Sequence, residues 1–198
     1  MRNLANFLVH LFNRDGEADR TYLSVIHERC LFCEEPISES PSYLTYRVCP
    51  YCRFHYTVTA RQRIELLADR GTFKEASKYV SSVGPLSFSR RGRYRNIFSQ
   101  DQNRTGLTEA AVTGRCYIGD TEAMLVVLDF GFMGGTMGSV VGEKVSVAFE
   151  SAARRGVPVV AVVSGGGVRI QEGVLSLMQM AKTVTAANRL REEEVPFV

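Results

Sequence analysis

Histidine is scarce and confined to one end: the 198-residue chain has three, His10, His27 and His55. The long remainder lacks the usual neutral-pH general base, so no Ser-His-Asp set can be assembled within it. Ser139 and Ser164 read there as cap or turn residues. No apolar run approaches the roughly 20 residues that span a bilayer. The N-terminal stretch Met1 to Phe12 is interrupted by His10 and followed by no small-residue cleavage site, so it reads as an amphipathic helix rather than an anchor or secretion signal. A cytoplasmic setting is the expectation. Charge of one sign is lacking too, since 24 basic against 21 acidic residues leave +3, far below a dedicated nucleic-acid coat. There is no internal repeat and no low-complexity segment. Neither glycine-rich turn continues into the Gly-Lys-Ser/Thr of a phosphate-binding loop.

What is present begins with cysteine. Of five, four fall as Cys30-x2-Cys33 and Cys49-x2-Cys52 with fifteen residues between the pairs, and Cys116 stands alone. Paired knuckles at this spacing predict a four-thiolate zinc site, closed to water and therefore structural, rather than disulfides. The flanks interleave Arg29, Arg47 and Arg53 with Tyr43, Tyr46, Tyr51, Phe54 and Tyr56. Such residues serve either to stack and pair with nucleic acid or as the small core of a ribbon. Cys116, in a strand pattern beside Tyr117, reads as a core thiol.

Residues 1–25 read as a lead-in, residues 26–58 as a small ribbon and Thr59 to Gly71 as a helix; the domain boundary is placed at 58/59. The segment Ser81 to Gly106, with Gly84-Pro85, Gly92 and the cluster Arg90, Arg91, Arg93 and Arg95, reads as a loop-rich connector. Its arginines suit either the phosphates of a nucleotide-bearing ligand or a solvated linker. From Ala110 the pattern becomes a hairpin, Ala111 to Tyr117 and Met124 to Phe130 around Gly119-Asp120. A glycine turn, Gly131 to Gly138, leads into a helix near 140–154. The strand Val159 to Val163 then meets a second glycine turn, Ser164 to Gly167, and a helix over 169–191 with Leu175, Met178, Ala181 and Val184 as its apolar positions. Strands alternating with helices predict an α/β domain over 59–198. Both glycine turns sit at strand-to-helix junctions, where backbone N–H groups favour developing negative charge. A thioester carbonyl approaching Gly166 and Gly167 would find an oxyanion hole there.

The motifs Cys30-x2-Cys33-x15-Cys49-Pro50-x-Cys52, Phe132-Met133-Gly134-Gly135-Thr136-Met137-Gly138-Ser139-Val140-Val141-Gly142 and Gly166-Gly167-Val168-Arg169-Ile170-Gln171-Glu172 resemble the carboxyltransferase β subunits of bacterial acetyl-CoA carboxylases. The resemblance runs over about residues 26–198. It implies a zinc ribbon followed by the first half of a crotonase-type superhelix of β-β-α units, with a further strand and glycine-rich segment completing the domain. It also implies transfer of a carboxyl group from carboxybiotin to acetyl-CoA, giving malonyl-CoA for fatty acid synthesis. In that chemistry the biotin ureido nitrogen takes a methyl proton and glycine amides hold the enolate. By position, Gly166 and Gly167 would be the oxyanion donors, and Gly134, Gly135 and Arg169 would contact the acyl-CoA. The implied partners are a carboxyltransferase α subunit in an α2β2 assembly, a biotin carboxyl carrier protein and biotin carboxylase. Two positions depart from the family pattern, Gly165 for serine and Val168 for alanine. The competing reading is a nucleic-acid-binding or regulatory ribbon attached to a non-catalytic crotonase-like part.

Overall fold

The computed structural model describes residues 26–81 and 92–198. The expected N-terminal helix and the arginines at 90 and 91 lie outside the described residues. The chain divides into two compact units, Met1–Val58 and Thr59–Val198.

In the first unit, two knuckles repeat one turn. The Cys30 N–H donates to the Glu35 carbonyl and the Glu34 N–H to the Cys30 carbonyl; Cys49 and Arg53 make the matching pair with Phe54 and Cys49. Glu34 and Arg53 occupy equivalent left-handed positions, φ 63° and 59°. A short helix α1, Pro41–Tyr46, joins the knuckles. Buried Ile37, Tyr43 and Tyr56 form the core around the cysteines. The Tyr43 hydroxyl accepts from the His27 N–H at 2.9 Å and the Tyr56 hydroxyl from the Leu31 N–H at 3.0 Å. The aromatic residues therefore divide: Tyr43 and Tyr56 are core, whereas Tyr46 and Tyr51 are exposed.

The second unit opens with helix α2, Ala60–Leu67, started by a capping box between Thr59 and Gln62. A four-stranded sheet follows, ordered β1 (Lys74–Ala76), β2 (Ala111–Ile118), β3 (Thr121–Leu128) and β4 (Val159–Val162). The first three strands are antiparallel, and β3 pairs with β4 in parallel. The β2–β3 turn holds Gly119 and Asp120 both at positive φ, the geometry a two-residue hairpin needs. Both of its amides donate to the carboxylate of Asp69. Strand β3 is buried from Ala123 to Leu128, as a central strand covered on both faces should be. Helix α4, Ser139–Arg155, crosses from β3 to β4 and packs on β2, β3 and helix α5, Val174–Glu192. Beyond β4, the Val159 N–H donates to the Pro196 carbonyl and the Ala161 N–H to that of Val198. Cys116 is buried in β2.

Two expectations need correction. The connector predicted over 81–106 contains helix α3, Gly92–Thr105; Tyr94, Ile97 and Phe98 at helical spacing pack into the core, which glycine and arginine content obscured. The apolar stripe predicted on the last helix faces outward, with Met178 and Val184 exposed at 58% and 59%. The face of α5 that is buried carries Ser176, Gln179, Ala186 and Leu190. It lies so close to α4 that a Cβ on Gly142 would meet the Gln179 side chain at 2.3 Å. Small and polar residues therefore mark this helix contact.

Candidate functional site

The two glycine turns follow β3 and β4, and because these strands are adjacent and parallel the turns emerge together. The first turn bends left-handed over three successive residues, Met133, Gly134 and Gly135, with φ of 47°, 68° and 62°. A methionine in that region is strained, and neighbours must hold it there. The Asp101 carboxylate accepts the Met133 N–H at 2.8 Å, and the Thr136 hydroxyl donates to the Met133 carbonyl at 2.8 Å. Arg104 ties Asp101 to the Gly131 carbonyl.

The turns touch backbone to backbone. A Cβ on Gly135 would lie 2.0 Å from the Ser164 carbonyl oxygen, and one on Gly165 would lie 2.6 Å from that of Gly135. Three hydrogen bonds join them: the Gly166 N–H to the Gly134 carbonyl (2.8 Å), the Met137 N–H to the Gly167 carbonyl (2.8 Å), and the Arg169 N–H to the Met137 carbonyl (2.9 Å). Gly167 is exposed, with φ +95° and open space where a Cβ would stand. Among the described residues its N–H donates to no group.

These contacts sort the glycines expected at the site. The Gly166 amide is already engaged by Gly134, so it is not a free donor, while that of Gly167 is. Gly135 is buried and its N–H donates to the Phe132 carbonyl; its role is to let the turns meet. Arg169, expected from the resemblance to contact substrate, is packed inside the second unit. Its side chain is 0% exposed. All of its donor positions are used: Nη1 donates to Glu109 Oε2 (2.9 Å) and Glu172 Oε1 (3.1 Å), Nη2 to Glu109 Oε1 (2.6 Å) and the Thr136 carbonyl (3.0 Å), and Nε to Thr136 Oγ1 (3.3 Å). Glu172 also accepts from the Tyr94 hydroxyl at 2.9 Å and the Ser139 N–H at 2.7 Å.

Burial works against the Arg169 charge, but Glu109 outweighs it, aided by Tyr94 and Glu172, and the guanidinium pKa rises. Burial likewise opposes ionisation of Glu172, yet the Ser139 N–H, Arg169 and Tyr94 prevail and hold its carboxyl below the usual range. Burial pushes the Tyr94 hydroxyl up, so it remains a donor. Glu109 and Tyr94 have no local sequence signal, since their partners lie 60 and 78 residues away. Glu172 stood within the quoted motif but without an assigned role.

The chain matches the carboxyl transferase domain model over residues 57–198. It belongs to the carboxyl transferase family. A curated member, the acetyl-coenzyme A carboxylase carboxyl transferase subunit beta of Methylacidiphilum infernorum, is 39% identical over 170 residues, covering 86% of this chain and 61% of that one. The chain thus spans about three fifths of that relative's length. Among solved carboxyl transferases, transcarboxylase 12S with hydrolysed methylmalonyl-coenzyme A bound matches with TM-score 0.58 and 29% identity, over 68% of this chain and 24% of that one. A Pseudomonas malonate decarboxylase heterotetramer in complex with malonate matches with TM-score 0.52 and 29% identity, over 69% and 48%. The crotonase-like α/β fold expected from the motifs is the fold of this carboxyl transferase domain. The match covers both glycine turns.

Apart from the turns, the sulfurs of Cys30, Cys33, Cys49 and Cys52 all lie within 4.8 Å of one another. The Cys30–Cys52 and Cys33–Cys49 separations are 3.7 and 3.6 Å. A tetrahedral ion with metal–sulfur bonds of about 2.3 Å would set its thiolates about 3.8 Å apart, so the four residues fit one. Burial opposes ionisation of Cys30, but hydrogen bonds from Tyr56 and from the Cys33 and Phe32 amides draw its pKa down to about 6. No helix among the described residues is long and apolar enough to cross a membrane.

Proposed function

We propose that this chain is the carboxyltransferase β subunit of an acetyl-CoA carboxylase, moving a carboxyl group from carboxybiotin on a carrier protein to acetyl-CoA to give malonyl-CoA. In balanced form, the N–CO2 bond of carboxybiotin breaks, the ureido nitrogen takes a proton from the acetyl methyl group, and the resulting enolate carbon bonds to CO2. This scheme needs no protein histidine, in keeping with the histidine-free second unit. The chain's own task is to stabilise the enolate oxygen. The observation that carries this reading is the Gly167 N–H, exposed and without an acceptor among the described residues, on a turn braced by two hydrogen bonds from its neighbour. Gly134 and Gly135 hold that turn from the neighbouring loop. A preorganised donor of this kind commonly contributes about 10²–10³ in rate.

The four cysteines would bind zinc, whose part is to brace the first unit. The partners are a carboxyltransferase α subunit, a biotin carboxyl carrier protein and biotin carboxylase, in a cytoplasmic complex. The test is the reverse half-reaction, malonyl-CoA-dependent carboxylation of free biocytin, run with this chain, an α-type subunit and zinc. Turnover that needs both chains is expected; a folded, zinc-loaded mixture without turnover refutes the assignment.

A further inference from the structure

We propose that Tyr94, Glu109, Arg169 and Glu172 form a positioning set that orients the Gly167 N–H toward the acyl thioester, an inference resting on the carboxyltransferase reading above. The peptide unit between Gly166 and Gly167 is bracketed. On one side the Gly166 N–H is held by the Gly134 carbonyl, and on the other the Gly167 carbonyl is held by the Met137 N–H. The direction of the free N–H is therefore set by where the first turn sits. Arg169 fixes that place. Its backbone N–H takes the Met137 carbonyl, while its guanidinium takes the Thr136 carbonyl and hydroxyl from inside.

The guanidinium is oriented in turn. Glu109, next to the start of β2, grips it with both oxygens, and Glu172 is held by Tyr94 of α3 and by the first amide of α4. Side-chain exposures of Arg169, Glu109 and Glu172 are 0%, 0% and 6%, so the set lies behind the turn rather than on its open face. Stability alone does not account for such a group. A buried ion pair is often matched or bettered by apolar residues of similar volume, whereas a fully satisfied one fixes a single geometry.

The experiment uses the full chain assembled with its α-type partner and compares wild type with Tyr94→Phe and Glu172→Gln. Two quantities are read: turnover per folded chain, and affinity for acetyl-CoA against S-ethyl-CoA, the thioether that lacks the carbonyl. The expected result is a kcat lowered about tenfold or more, as a misplaced catalytic group implies. The preference for acetyl-CoA over S-ethyl-CoA should shrink while S-ethyl-CoA still binds. Equal weakening of both ligands, or unchanged preference, overturns the positioning role. Should Glu172→Gln fail to fold, Tyr94→Phe decides, since it deletes one hydroxyl. If wild type binds neither CoA compound, the carboxyltransferase reading fails and takes this inference with it.

Discussion

Adjacent glycines at the second turn should respond in opposite ways to the same added methyl group. At Gly166 a Cβ would sit 3.4 Å from the Gly134 carbonyl oxygen and 3.6 Å from Thr136 Cγ2, ordinary packing distances. The Gly166 φ is not positive, and its amide is already engaged. Gly166→Ala should therefore cost under about 1 kcal/mol of stability and leave biocytin carboxylation within about threefold of wild type, a barrier change of about 0.7 kcal/mol. At Gly167 space is open, but φ is +95°, where an L side chain costs about 1–3 kcal/mol. The backbone relieves that strain by rotating the peptide that carries the free N–H. Losing the donor raises the barrier by about 2.7–4 kcal/mol, a rate loss of about 10²–10³. The assay is biocytin carboxylation with the α-type partner, normalised to folded protein by thermal melting. If Gly166→Ala proves as damaging as Gly167→Ala in folded protein, the assignment of Gly167 as the donor is wrong.

Glu109→Ala strands the Arg169 charge in the interior and should destabilise the second unit by about 3–5 kcal/mol, read as a lowered denaturant midpoint with an unchanged slope. Because the carboxyl of Glu172 is held below its ordinary range when folded, its contribution is present above the unfolded carboxylate pKa. That contribution is lost as pH falls through the folded value; an acid unfolding profile should be flatter in Glu172→Gln. If the four cysteines hold zinc as proposed, Cys33→Ser or a strong chelator should lower metal content and unfold the first unit, as metal analysis and near-ultraviolet dichroism would report. Gly135→Ala forces a Cβ to within 2.0 Å of a carbonyl oxygen and should abolish soluble expression or lower the melting temperature far more than Gly166→Ala.

Local signals were legible in the sequence. The cysteine spacing located a cluster whose sulfurs have the spacing of a tetrahedral ion site, and strand patterns with the Gly119-Asp120 turn located the hairpin. The glycine runs located the paired turns. What the sequence hid is relational. Gly166 looks as available as Gly167 until its N–H is seen facing the Gly134 carbonyl across the gap. Arg169, beside the glycines, invites a ligand, and only the fold brings Glu109 and Glu172 around it. Helix α5 misled for another reason: its outward Met178 and Val184 outrank in hydropathy the buried Ser176 and Gln179, and Gln179 lies against Gly142 of α4, because close helix approach selects for shape as well as apolarity. Helix α3 was masked by the glycine and arginines at its start, although Tyr94, Ile97 and Phe98 carried its period.

The ion pairs behind the turns are also shielded from the ionic medium. Exposed pairs such as Arg115–Glu122, at 3.4 Å with side chains 38% and 35% accessible, sit in water, where mobile ions screen them within about 10 Å at 0.1 M. Dissolved ions do not reach Arg169, Glu109 or Glu172. Turn geometry should therefore hold as ionic strength rises, and any loss of turnover in added salt would report weakened encounter with the charged carrier or CoA thioester rather than a loosened site.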